Sequence, residues 1–192
     1  MSRYSGVEPL AADHDVSGFD CGSDAQTTWL KRYGFQAHQS DTARVYVVCR
    51  KGTRAVVGYY ALAAGSVASE DAPTRVTKGV GRYPVPVLIL TRLGVELSEQ
   101  SKGLGSALVR DALFQVAAIA WRVGVRALLI HAETRAAAAF YKRIDPGFEA
   151  SPTDPLHLIL LMKDLRAAIR SAAAGIPTGR SNAPPEPQVR RG

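Results

Sequence analysis

The clearest pattern along the chain is a dense apolar run, Val85-Pro86-Val87-Leu88-Ile89-Leu90, followed by a polar turn and a long amphipathic stretch. The run is short and mostly β-branched or aliphatic, so it predicts a central strand buried on both faces. After the turn, Leu104, Leu108, Ala112, Val116, Ile119, Ala120 and Val123 recur at helical spacing, with Gly124 as a stop. Ala127 to Ala132 predicts a second buried strand. Arg135 to Arg143 predicts an alanine-rich helix that ends in Phe140-Tyr141-Lys142-Arg143. Gly147-Phe148 and the alternating Leu156 to Met162 predict a last strand or pair.

The N-terminal half is read the same way. Val7 to Leu10 is a short first strand, and Phe19-Asp20-Cys21-Gly22 is a turn. Ser23 or Asp24 caps a helix carrying Trp29, Leu30 and Tyr33. Ala43 to Cys49 and Ala55 to Leu62 alternate well enough for a hairpin around Lys51-Gly52-Thr53. Residues 66–84 show no period and read as a mobile basic loop holding Arg75, Lys78 and Arg82. There are no internal repeats.

Composition narrows the class. The chain has 192 residues, a mean hydropathy of −0.04 and a net charge of +7, which suit one globular domain with a basic surface. No apolar run reaches 18 residues, so no membrane span is expected. The N-terminus has no apolar signal core. Two cysteines, Cys21 and Cys49, do not make a disulfide framework and read as reduced, structural residues of a cytoplasmic protein. With four histidines they lack ligand spacing, so no metal is expected. The domain is placed at residues 1–171. Residues 172–192, rich in Pro, Gly, Ala, Ser and Arg, read as a disordered tail. A basic domain suits a polyanionic partner, and equally suits solubility alone.

The chemistry sits in the turn Gln100-Ser101-Lys102-Gly103-Leu104-Gly105-Ser106. A strand–turn–helix connection aims several backbone N–H groups at one spot, at the positive end of a helix. Glycine at Gly103 and Gly105 leaves room for close approach of a phosphate. By itself the pair fits a plain tight connection equally well. Walker A fails because the lysine precedes the glycine, and the dinucleotide motif fails because Leu108 replaces its third glycine.

The spacing fits the Gln/Arg-x-x-Gly-x-Gly/Ala signature of the GNAT acetyltransferases. The order of further pieces resembles one GNAT branch, the toxins of type II toxin–antitoxin pairs that acetylate aminoacyl-tRNA. Those pieces are Phe19-Asp20-Cys21-Gly22, Trp29-Leu30, Gly58 to Leu62, Pro84 to Val87 and Arg92 to Val95. They continue with Gly103 to Leu108, Asp111-Ala112, Leu129 to Ala132, Ala139-Phe140-Tyr141 and Asp154-Pro155. The resemblance covers roughly residues 7–166. It departs at Asp145-Pro146, which looks like a two-residue insertion before Gly147-Phe148, and in the tail.

The resemblance implies an α/β (α+β) GNAT fold, a mixed central sheet splayed at the acetyl-CoA site and flanked by helices. It implies acetyl-CoA as cosubstrate, gripped by Gln100 to Ser106, with the thioester carbonyl held at Leu93, Gly94 and Val95. It implies Tyr141 as the acid that protonates the leaving thiolate. A phenol near pKa ~10 can serve a thiolate near ~8.5, and an α-amine near ~8 needs little help from a base. It implies aminoacyl-tRNA as acceptor, with Arg75, Lys78, Arg82 and Arg92 on the RNA. A small ribbon-helix-helix antitoxin, a homodimer, and operator DNA reached only through the antitoxin complete the implied partners. His131 reads as a strand-end residue hydrogen-bonded in place, and Glu99 and Glu133 as surface residues. Acetylation of a protein or small-molecule amine, and a CoA-binding co-repressor, are the readings from other classes.

Overall fold

The computed structural model describes residues 3–80 and 83–174. The elements in chain order are β1 (Glu8–Pro9), α1 (Asp24–Trp29), α2 (Phe35–Gln39), β2 (Arg44–Cys49), β3 (Val56–Val67), α3 (Thr74–Thr77), β4 (Val85–Val95), α4 (Leu104–Ala120), β5 (Ala127–His131), α5 (Arg135–Ile144), β6 (Glu149–Ala150), β7 (His157–Leu161) and α6 (Met162–Ala174). A π-helical turn, Leu30–Gly34, joins α1 to α2. The strands form one sheet in the order β1-β2-β3-β4-β5-β7-β6. Every pairing is antiparallel except β4 with β5.

Alternation along the strands sorts side chains onto two faces. One face carries Leu88, Leu90, Leu128, Ile130, Leu158 and Leu160, and packs against α4 through Leu104, Leu108, Ala112 and Val116. Leu165 of α6 and Tyr141 of α5 close the same cluster. The opposite face is covered in two parts. Phe19 and Leu30 pack on Val45, Val47, Tyr59 and Ala61, and Val76 of α3 packs on Val85, Val87, Ala127 and Leu129.

The sheet is split where β4 meets β5. Their parallel ladder runs from Val87–Ala127 to Leu90–Ile130 and stops there. Strand β4 continues to Val95, paired only with β3. A β-bulge marks the departure: Ala61 faces Arg92 and Leu62 faces Leu90, which leaves Thr91 unopposed, its Oγ1 donating to the Ala61 carbonyl.

Two expectations need correction. Residues 66–84 are not one irregular loop. Strand β3 extends to Val67 along the full length of β4, a 3₁₀ turn covers Ser69–Asp71, and α3 follows. Ala63 to Ser66 carry no β-branched signal, so their strand character comes from the partner strand. The helix Met162–Ala174 was not foreseen and crosses the boundary placed at residue 171. The rest of the expected tail lies outside the described residues, as does Arg82.

Candidate active site

The wedge between β4 and β5 opens on a cavity of about 120 Å³ lined by Gln26, Leu90, Thr91, Arg92, Leu93, His131, Glu133, Ala137, Phe140 and Tyr141. Backbone alternation fixes which amides face it. Glu96 N–H donates to the Val57 carbonyl, so the Glu96–Val57 and Gly94–Tyr59 pairs are the hydrogen-bonded ones. The N–H groups of Leu93 and Val95 therefore point away from β3, toward the side that β5 has left. Gly94 turns its N–H to β3 instead. A Cβ on Gly94 would sit 2.7 Å from Tyr59 Cε1 and 3.2 Å from Phe19 Cζ. Glycine there answers to aromatic packing on the far face of the sheet, not to an approach from the wedge.

The turn before α4 has the expected shape, with unexpected holders. Ser101 adopts φ 58 and Gly103 φ 86, both left-handed. A non-glycine residue in that region costs about 1 kcal/mol or more, and such strain gathers at functional turns. The first intrahelical bond is Ala107 N–H to the Gly103 carbonyl, so the N–H groups of Leu104, Gly105 and Ser106 have no partner within the helix. A Cβ on Gly105 would meet only ordinary contacts, Phe140 Cζ at 3.5 Å and Val95 Cγ2 at 3.6 Å. Packing alone thus does not demand glycine at 105. These residues fit the pyrophosphate of acetyl-CoA.

Gln100 and Lys102 do different work from that expected of them. The Gln100 amide donates to the carbonyls of Cys21 (2.9 Å) and Val95 (3.0 Å), stapling the end of β4 to the turn before α1. The Lys102 ammonium bonds Glu99 at 3.2 Å. Glu99 is no surface residue. Its carboxylate is buried, accepts from Tyr4 Oη (2.8 Å) and pairs with Arg50 (2.7 Å). The Tyr4 hydroxyl, then Lys102, hold it below the ordinary carboxylate range. Nothing local in the sequence could reveal this carboxylate, whose Tyr4 and Arg50 partners lie in distant segments.

Tyr141 lies in α5, which Thr134 caps by accepting from Ala137 N–H. Its ring is buried beside Phe140 and Phe148, with centroids at 5.3 and 6.4 Å. Burial, with the Glu133 charge second, pushes its phenol above the usual tyrosine range, and the group, protonated at neutral pH at its ordinary value, stays so. Asp145 ends α5: its N–H returns to the Tyr141 carbonyl and its Oδ1 accepts from Gly147 N–H at 2.8 Å. The insertion thus forms a turn beyond the helix that carries Tyr141.

Arg92 enters the cavity wall with its guanidinium 5.4 Å from the Trp29 ring centroid, donating to the Thr91 carbonyl. Arg75 is elsewhere. It pairs with Glu149 and with Asp164 (2.8 Å), on the far side of the sheet from α4. Its side chain remains half exposed beside them. Lys78 is exposed at the end of α3, where Arg126 donates to the carbonyls of Val76 (3.0 Å) and Lys78 (2.9 Å). No local pattern in the sequence marks Arg126. His131 is stacked on His157 at 4.0 Å rather than hydrogen-bonded, and burial lowers its pKa, with His157 adding to the effect.

One further cluster has the look of a metal or nucleophile site. Glu8, His14 and Cys49 place ligand atoms within 4.8 Å of one another. Its hydrogen bonds argue otherwise. Nδ1 of His14 accepts from Ala11 N–H (2.8 Å), so Nε2 carries the proton that Glu8 accepts (3.2 Å). No ring lone pair is left for a metal or a thiol proton. Arg54 also pairs with Glu8 (2.8 Å), and burial raises the Cys49 thiol. Both cysteines are free.

No family profile matches the chain. A curated tRNA-acetylating toxin of Mycobacterium tuberculosis (strain ATCC 25618 / H37Rv) is 47% identical over 169 residues, spanning 88% of this chain and 99% of that protein. The chain belongs to the GNAT-fold tRNA-acetylating toxins. Solved structures agree. AtaT complexed with acetyl-methionyl-tRNAfMet matches with a TM-score of 0.77 at 27% identity, covering 86% of this chain and 99% of that one. A tyrosine-to-phenylalanine variant of AtaT, bound to acetyl-CoA and the C-terminus of the antitoxin AtaR, matches at 0.74 and 26% identity, covering 88% and 99%. Membership makes the protein an N-acetyltransferase that uses acetyl-CoA. No described helix is long and apolar enough to cross a membrane.

Proposed function

We propose that this protein is a toxin that acetylates the α-amino group of aminoacyl-tRNA and so blocks translation. Nearly full-length identity of 47% to a tRNA-acetylating toxin carries the reading, and the split sheet gives it a place to happen. Acetyl-CoA supplies an acetyl thioester already activated toward amines. The amides of Leu104 to Ser106 are placed to donate to its pyrophosphate, at the positive end of a helix of 17 residues. The Leu93 and Val95 amides face the wedge and are placed to donate to the acetyl carbonyl oxygen as charge grows on it. Tyr141, protonated and lining the cavity, is the proton donor to the departing sulfur.

The acceptor end reaches the cavity past Arg92 and Trp29. Arg92 and Lys78, with Arg82, serve the RNA backbone. Arg75 instead braces α3 against β6 and α6 through its two carboxylates. A small ribbon-helix-helix antitoxin neutralises the enzyme and brings it to operator DNA, and the toxin works as a homodimer in the cytoplasm. The test is direct. The protein is incubated with bulk charged tRNA and labelled acetyl-CoA, the RNA is digested with nuclease, and the acetylated aminoacyl-adenosine is identified. Label confined to protein or to small amines would defeat the reading.

A further inference from the structure

The cavity has one cation, Arg92, one histidine, His131, and one carboxylate, Glu133, among its described lining residues. The cation is occupied: it lies over the Trp29 indole and donates to a backbone carbonyl. The carboxylate is differently placed. Ser23, which caps α1, donates to Glu133 Oε1 at 2.8 Å, joining two segments 110 residues apart. That single bond bridges the start of α1 and the connection from β5 to α5. A serine hydroxyl donates one hydrogen bond, so the carboxylate keeps most of its accepting capacity. Glu133 lines the same cavity as Tyr141.

We propose that Glu133 is the residue that captures the acceptor's α-ammonium group, held by Ser23 at the mouth of the wedge. This rests on the aminoacyl-tRNA reading above and adds how the reacting end of that substrate is recognised. The amine of an aminoacyl ester arrives partly as an ammonium at neutral pH. Among the described groups lining the cavity, only Glu133 carries the complementary charge. Charge-assisted capture orients the nitrogen toward the acetyl site beside Tyr141. The carboxylate is exposed, so the proton that the ammonium must shed before attack passes from nitrogen to carboxylate and on to water. The same charge favours charged over uncharged tRNA without any contact to bases.

The test compares three forms of one tRNA without acetyl-CoA at mildly acidic pH: charged with an amino acid the enzyme accepts, charged with the matching α-hydroxy acid, and uncharged. The hydroxy acid is nearly isosteric and carries no charge. Wild type should bind the aminoacyl form about tenfold more tightly than the hydroxyacyl form. Glu133→Gln, which keeps the shape and can still accept from Ser23, should erase that ratio and leave uncharged tRNA binding unchanged. In turnover the KM for charged tRNA should rise while the KM for acetyl-CoA stays. A wild type that does not distinguish the two acyl forms overturns the proposal without any variant. A Glu133→Gln protein that keeps the ratio, or loses all three RNAs equally, also overturns it. If the tRNA reading itself were wrong, wild type would fail to acetylate charged tRNA at all, a separate observation.

Discussion

Tyr141→Phe isolates one hydroxyl from an otherwise unchanged packing unit. The ring is 7% exposed and sits against Phe140 and Phe148 in the cluster that joins α5 to the sheet. Phenylalanine keeps every one of those contacts. The hydroxyl is turned to the cavity rather than to a backbone partner, so its loss should change stability by no more than about 1 kcal/mol. Turnover should fall far more. A positioned acid contributes about 100- to 10,000-fold; a phenol is protonated at neutral pH in any case, and burial raises its pKa further. The fall belongs in kcat, since the hydroxyl acts on the departing sulfur and not on the pyrophosphate. The assay is single-turnover acetylation of charged tRNA with wild type and variant, beside a thermal melt and a binding titration with acetyl-CoA. A variant within a few-fold of wild type would return Tyr141 to the role of a core aromatic. Another group, or water, would then protonate the thiolate.

Other outcomes follow from the same geometry. Gly105→Ala should fold normally, because its Cβ meets only contacts of 3.5 Å and beyond, yet calorimetry should show weaker acetyl-CoA binding. Unchanged affinity would mean that no phosphate approaches that amide. Gly94→Ala should lower the unfolding free energy by about 1–3 kcal/mol, since its Cβ lands 2.7 Å from a buried Tyr59 ring. A denaturant titration showing no loss would remove the packing argument for this glycine. Tyr59, Tyr60 and Tyr141 all have phenols raised by burial. The unfolded chain therefore releases these protons first, above pH about 10, and binds fewer than the native state. Stability should hold up to that pH and then fall, by about 1.4 kcal/mol per pH unit for each phenol. Alkaline melts with no such decline would contradict the burial of these hydroxyls.

Local pattern along the chain suffices for the chassis of the site. The apolar run at Val85–Leu90, the helical spacing from Leu104 and the strand at Ala127 are local patterns, and each appears where it was read. Gly103 was legible because a left-handed turn residue before a helix leaves a local mark. Tyr141 and the wedge at Leu93 to Val95 came from the resemblance, not from periodicity. What the chain could not disclose is pairing across distance. Arg75 pairs with Glu149 and Asp164, 74 and 89 residues away. Glu99 looked like any polar turn residue until Tyr4 and Arg50 closed over it. The bulge beside the wedge is at Thr91, and the glycine at 94 is set by an aromatic ring on the neighbouring strand. Glu133 is joined to Ser23 across 110 residues. A charge or a missing Cβ acquires its meaning from what lies within a few ångströms of it. Only the folded sheet, split where β5 ends and β4 continues, brings those neighbours together.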